Sequence, residues 1–229
     1  MSIRGVRVAA RVSGSGDPCL LLNGLSRPMQ SWASFGAALR DRTTIAIDVP
    51  GVGESHAPVV PYTMPMLADM AIGVLDAFGF AKADIVGFSF GGALAQQIAA
   101  SHPDRVNRLV LLATSCGLGA VPGRGRDVTR IMLRPNDGTR WAPPDPLGLL
   151  WQLTAISTWT SIPLLGGITA PTLVVTGDGD RAVPPVNSRL LAARIRNARL
   201  VTVGAGHDLQ KPGVAEDVAE LVQEFLDEV

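Results

Sequence analysis

Short apolar runs alternate with helical stripes along almost the whole chain. From Val6 to Val12 apolar and polar positions alternate, as they do in a half-buried strand. The runs Cys19-Leu-Leu-Leu, Thr44-Ile-Ala-Ile, Ile85-Val-Gly-Phe, Leu109-Val-Leu-Leu, Thr172-Leu-Val-Val and Leu200-Val-Thr-Val follow. Their near-continuous apolarity predicts parallel strands covered on both faces. Between them, Leu67, Met70, Ala71, Val74, Leu75 and Phe78 recur at three- and four-residue steps and predict a helix. Leu94, Ala95, Ile98 and Ala99 do the same, as do Val218, Leu221, Val222, Phe225 and Leu226. The alternation predicts an α/β fold, a mostly parallel sheet flanked by helices. By itself it does not separate a dinucleotide-binding or flavodoxin-like sheet from other doubly wound sheets.

The rhythm breaks between Gly117 and Ala170. Glycine and proline are frequent there, with Arg124, Arg126, Arg130, Arg134 and Arg140 and the tryptophans Trp141, Trp151 and Trp159. We expect residues 117–170 to be a lid inserted into a core made of 1–116 and 171–229, because loops at the carboxyl ends of strands build the ligand site in such sheets.

Composition narrows the class. The chain has 229 residues, 47% apolar and 17% charged, which suits a single folded domain and excludes compositional disorder. Its formal net charge is zero, so it carries no electrostatic footprint for nucleic acid. No stretch reaches the roughly 18 uninterrupted apolar residues of a membrane-spanning helix, and the first residues lack the apolar core of a signal peptide. Cys19 and Cys116 fit no metal spacing and are expected to be free buried thiols. The expectation is a soluble cytoplasmic protein without membrane insertion. Asp127, Asp137 and Asp145 dilute the lid arginines, so a solvated loop is favoured over contact with an anionic lipid or granule surface.

Gly87-Phe-Ser89-Phe-Gly91-Gly92 lies between the run ending at Phe88 and a helical pattern starting near Ala93. A glycine two before and two after a serine at a strand–turn–helix junction is the nucleophile-elbow pattern. Ser89 needs a base, and three histidines are available. His102 ends the elbow helix and His56 sits in a Gly/Pro-rich loop. His207 follows the last strand, at the same edge as Ser89, and is the expected base. The loop Gly177-Asp178-Gly179-Asp180 supplies the carboxylate. Asp180 lies further past the strand end and is favoured; Asp178 is expected to cap the loop or the next helix. The order Ser, Asp, His is that of hydrolases with this elbow. Amides of Phe90 and Leu25 are the expected oxyanion donors, with Asn23-Gly24 forming the turn that aims Leu25 inward. No metal-ligand spacing or phosphate-binding glycine fingerprint occurs, so no cofactor is expected.

Together these residues resemble the α/β-hydrolase superfamily over the whole chain. Asp48-Val-Pro-Gly-Val-Gly-Glu-Ser55 resembles its D-x-P-G-x-G-x-S loop, which the resemblance makes structural. Asn23-Gly24 stands where the family usually has His-Gly. Leu22-Asn-Gly-Leu, Gly91-Gly-Ala-Leu-Ala-Gln-Gln, Trp151-Gln-Leu and Trp159-Thr-Ser-Ile look like the intracellular medium-chain poly(3-hydroxyalkanoate) depolymerases, with a lid shortened near Gly138 to Leu147. That resemblance implies a serine esterase or polyester depolymerase whose partner is a small ester or a polymer granule. It also implies substrate contacts at Asn23, Gly24, Phe88, Trp151 and Trp159. A general carboxylesterase, a C–C bond hydrolase and a cofactor-free perhydrolase share the same constellation, and a non-catalytic binder of hydrolase fold is the alternative from another class. Phe88, Phe90, Met64 and Met66 suit either an acyl pocket or the core.

Overall fold

The computed structural model describes residues 1–133 and 144–228; Arg134, Asp137, Gly138, Arg140 and Trp141 lie outside the described residues. Two short strands, β1 (Ser2–Ile3) and β2 (Val6–Arg7), form a hairpin. Its turn residues Arg4 and Gly5 both have positive φ, as a two-residue hairpin turn of the tightest kind requires. Then come β3 (Ala9–Gly14), β4 (Asp17–Leu22), α1 (Ala33–Ala38), β5 (Arg42–Asp48), α2 (Met64–Ala77), β6 (Ala83–Phe88), α3 (Phe90–Ser101) and β7 (Val106–Leu112). After them lie α4 (Gly125–Leu133), α5 (Pro146–Ser157), β8 (Thr172–Gly177), α6 (Pro185–Arg194), β9 (Ala198–Val203) and α7 (Ala215–Leu226).

The main sheet has seven strands in the order β3-β5-β4-β6-β7-β8-β9. Only β3 runs antiparallel to its neighbour. The strand expected over Val6–Val12 is therefore divided. Val6 and Arg7 pair with β1, while Ala9 onward pairs with β5 at the sheet edge. The Arg4-Gly5 turn gives the first residues a local partner, and the chain then redirects at the buried Val8.

Alternate residues of β4 serve two cores. Leu20 and Leu22 pack with α2 and α3 on one face, and Cys19 and Leu21 pack with α1 and α7 on the other. This two-sided burial explains the uninterrupted apolar runs. Both cysteines are free and buried. No helix among the described residues is long and apolar enough to cross a membrane.

The helices α4 and α5 are inserted between β7 and β8. Asp145 caps α5 by accepting the Gly148 N–H at 2.6 Å. The segment leaving α5 is clamped to α3. Gln97 Oε1 accepts the Trp159 indole N–H at 2.6 Å, and Gln96 Oε1 accepts the Ser161 hydroxyl at 2.6 Å.

Candidate active site

Ser89 sits between β6 and α3 with φ 53°, a conformation that costs a non-glycine residue and survives only where its surroundings enforce it. Its N–H donates to the Leu112 carbonyl at 2.8 Å. Its own carbonyl accepts the Gly92 N–H at 2.9 Å and the Thr114 hydroxyl at 2.6 Å. The flanking glycines are sterically required. A Cβ at Gly87 would lie 2.4 Å from the Gly91 carbonyl oxygen, and one at Gly91 would lie 2.1 Å from that of Leu22.

His207 follows β9 and is 7% exposed. Its Nε2 lies 3.1 Å from Ser89 Oγ and its Nδ1 lies 2.8 Å from Asp180 Oδ2. The Phe88 ring is tilted against the imidazole, with centroids 5.1 Å apart. The second oxygen of Asp180 accepts the backbone N–H groups of Ala182 and Val183 at 2.9 and 2.8 Å. The capping expected of Asp178 is therefore carried out by Asp180, which turns inward, whereas Asp178 is exposed. One carboxylate both holds its loop and meets the imidazole. In such a series the histidine can take the serine proton, and the carboxylate fixes the tautomer and stabilises the imidazolium.

His102 ends α3 and pairs with Asp69 of α2 at 2.9 Å; His56 is exposed. Neither joins this group. Asp48 is fully buried, and its carboxylate accepts the N–H groups of Met29 (2.6 Å) and Glu54 (2.9 Å), locking the loop that follows β5. Burial pushes its pKa up, and the two amide contacts oppose that.

Leu25 and Ser89 line two cavities. One, of about 120 Å³, is also bordered by Gly24, Arg27, Phe88 and His207. The other, of about 150 Å³, is bordered by Phe90, Ala93, Thr114 and Ile156. Among the described residues, neither the Leu25 nor the Phe90 N–H meets an acceptor, which leaves both able to donate to a bound group. Asn23 serves its own loop: Oδ1 accepts the Gly24 N–H at 2.9 Å and Nδ2 donates to the Pro28 carbonyl at 2.7 Å. The Trp151 indole donates to the Pro58 carbonyl at 3.0 Å, and Trp159 is packed on α3. Asn23, Trp151 and Trp159 line neither cavity beside Ser89. Met64 is in the core and Met66 is half exposed.

Two residues of this neighbourhood were not among the expected site residues, although Gln152 lies within the Trp151-Gln-Leu piece. Gln152 of α5 is fully buried, and its Oε1 accepts both the N–H (2.8 Å) and the hydroxyl (3.2 Å) of Ser26, the residue after Leu25. Arg27 is 2% exposed, pairs with Asp208 and lies over the Phe88 ring at 5.0 Å. A charged residue in a short loop gives no local hint that it will be buried.

The class of the protein follows from this elbow and sheet. Residues 17–130 and 123–214 match the model of the alpha/beta hydrolase fold family, and the chain belongs to that family. It is 38% identical to a poly(3-hydroxyalkanoate) depolymerase of Ectopseudomonas oleovorans, over 91% of this chain and 84% of that protein. It is 33% identical to a 2-hydroxymuconate semialdehyde hydrolase of Pseudomonas putida, over 98% of this chain and 92% of that one. Among solved structures, the enol-lactonase of Burkholderia xenovorans LB400 superposes with a TM-score of 0.87 at 26% identity, covering 99% and 98% of the two chains.

Proposed function

We propose that this protein is a serine hydrolase that cleaves carboxylic esters through an acyl-enzyme, with medium-chain 3-hydroxyalkanoate esters or their polyester as substrate. The observation that carries the reading is the hydrogen-bonded series Ser89–His207–Asp180, at 3.1 and 2.8 Å. Ser89 Oγ attacks the ester carbonyl while His207 takes its proton, and Asp180 orients and stabilises the imidazolium. The Leu25 and Phe90 amides receive the oxyanion. The acyl chain enters the cavity bordered by Phe90, Ala93 and Ile156. Water then attacks the acyl-enzyme, with His207 again taking the proton. This sequence of steps uses no metal or organic cofactor. The choice of 3-hydroxyalkanoates rests on the 38% identity to the Ectopseudomonas oleovorans depolymerase.

A second reading, hydrolysis of a C–C bond, is favoured by the 33% identity to the Pseudomonas putida semialdehyde hydrolase, which extends over nearly the whole chain. Both readings are tested by assaying p-nitrophenyl acyl esters of increasing length and 2-hydroxymuconate semialdehyde, with wild type and Ser89→Ala side by side. Ester turnover that peaks at medium chain length and disappears in Ser89→Ala is expected. Turnover of the semialdehyde alone would overturn the ester reading. Absence of turnover with both substrates would leave a hydrolase fold that binds without cutting.

A further inference from the structure

A third cavity, of about 530 Å³, shares His207 and Ala182 with the 120 Å³ cavity at Ser89. The backbone of Gly204, Ala205 and Gly206 forms part of its wall, and Arg130, Arg181 and Lys211 project around it with Asp127 and Asp208. Asp208 is already engaged by Arg27. Among the described residues, Arg130, Arg181 and Lys211 are exposed and make no side-chain ion pair or hydrogen bond, so free cations outnumber free carboxylates there.

The placement of the three cavities assigns the two halves of an ester. The 150 Å³ cavity touches Ser89 and not His207, and the 530 Å³ cavity touches His207 and not Ser89. In acyl transfer the serine oxygen bonds to the acyl carbon and the ester C–O bond breaks. Its electron pair leaves on the alcohol oxygen, which takes the proton held by His207 Nε2. The alcohol half must therefore lie on the His207 side.

We infer that the cavity beside His207 is the leaving-group subsite, and that it selects esters whose alcohol half ends in a free carboxylate. This rests on the ester reading above. The terminal ester of a short 3-hydroxyalkanoate chain has that form, since its leaving group is a hydroxy acid. The enzyme then releases hydroxy acids from the carboxylate end.

The test compares the linear dimer of 3-hydroxyoctanoate as free acid and as methyl ester, in wild type and in Arg181→Gln/Lys211→Gln, with p-nitrophenyl octanoate as control. Wild type should favour the free acid by about tenfold in kcat/KM, through KM, the size expected of two exposed charge contacts. Added salt should shrink that preference. In the double variant, checked for an unchanged melting temperature, the ratio should fall close to one; Lys211→Gln alone should give an intermediate ratio. Equal use of acid and methyl ester by wild type, or a preference that survives the double substitution, overturns the subsite while leaving the esterase intact. Failure of wild type on p-nitrophenyl octanoate as well as both dimers would instead remove the ester reading beneath it.

Discussion

The indole N–H of Trp159 donates to Gln97 Oε1 over 2.6 Å, joining the segment that leaves the inserted helices to α3, the helix that follows Ser89. Gln97 in turn donates to the Ser101 hydroxyl at 2.5 Å, and Trp159 is 8% exposed. The tryptophan is thus a fastening between the inserted segment and the core. Trp159→Phe keeps the apolar contact and leaves Gln97 Oε1 buried without its donor, which should cost about 1–3 kcal/mol of stability. The dependence of turnover on acyl chain length should stay as in wild type. Urea unfolding together with the p-nitrophenyl ester series checks both halves, and a shifted length profile would return Trp159 to the substrate site.

Asp180 spends one oxygen on His207 and the other on the Ala182 and Val183 amides. An asparagine can still accept those amides, but its NH₂ would face Nδ1 and force the wrong tautomer. Asp180→Asn should therefore lower kcat by about four orders of magnitude with little change in melting temperature. Asp180→Ala should lose activity and, in addition, about 1–3 kcal/mol of stability, because the two amides lose their acceptor. Equal melting temperatures for the two variants would refute the double role.

Gln152 connects α5 to the turn that presents Leu25, through the 2.8 Å contact from Ser26 N–H. Ser26 has a positive φ of 55°, so the turn needs an outside partner to hold it. Gln152→Leu should leave the Leu25 amide less well aimed and reduce kcat about 10-fold, with KM for a short ester changed little. Steady-state kinetics on p-nitrophenyl butyrate decides this; a change confined to KM would place Gln152 in binding rather than in oxyanion alignment.

Burial raises the Asp84 carboxyl to about 6 from its ordinary 3.8, against the pull of Arg42, whose guanidinium lies 2.7 Å away. The folded protein accordingly holds a proton at Asp84 between pH 4 and 6 that the unfolded chain has released. The stability this proton contributes is complete below pH 4 and is lost as pH rises through 6, at up to about 1.4 kcal/mol per pH unit. Asp84→Asn has nothing to titrate at this site. Its stability relative to wild type should thus improve from pH 4 to pH 7, measured by denaturant midpoints; a constant difference would mean that Asp84 stays ionised in the fold.

Much of the architecture is written locally. The strands of the sheet centre are buried on both faces, so their apolar runs stand out, and α2 and α7 keep an apolar stripe. Other elements leave weaker traces. The buried positions of α6 are Asn187, Ser188 and Leu191, so no stripe marks that helix. Asn187 faces inward because its side chain bonds both the N–H and the carbonyl of Val121. Helix α1 has only six residues and buries Phe35 alone. At the site, the elbow is legible because its strained turn demands glycine within two residues of Ser89. The pairing of the buried Arg27 with the partly exposed Asp208 joins residues 181 positions apart, and nothing near either one announces it.

By itself the sequence determined a parallel α/β sheet, a serine elbow at one strand end, and the histidine and acidic loop that follow later strands. These are consequences of neighbours along the chain, where periodicity and steric demand act over a few residues. The tertiary structure decided which oxygen meets which nitrogen. Ser89 and His207 are separated by 118 positions, and their approach depends on how β6 and β9 are ordered in the sheet and where their loops emerge. Packing also turned Trp159 toward α3, Asn23 into its own turn, and three cations around one flank of His207, because burial and pairing across the sheet are set by the whole fold rather than by any segment of it.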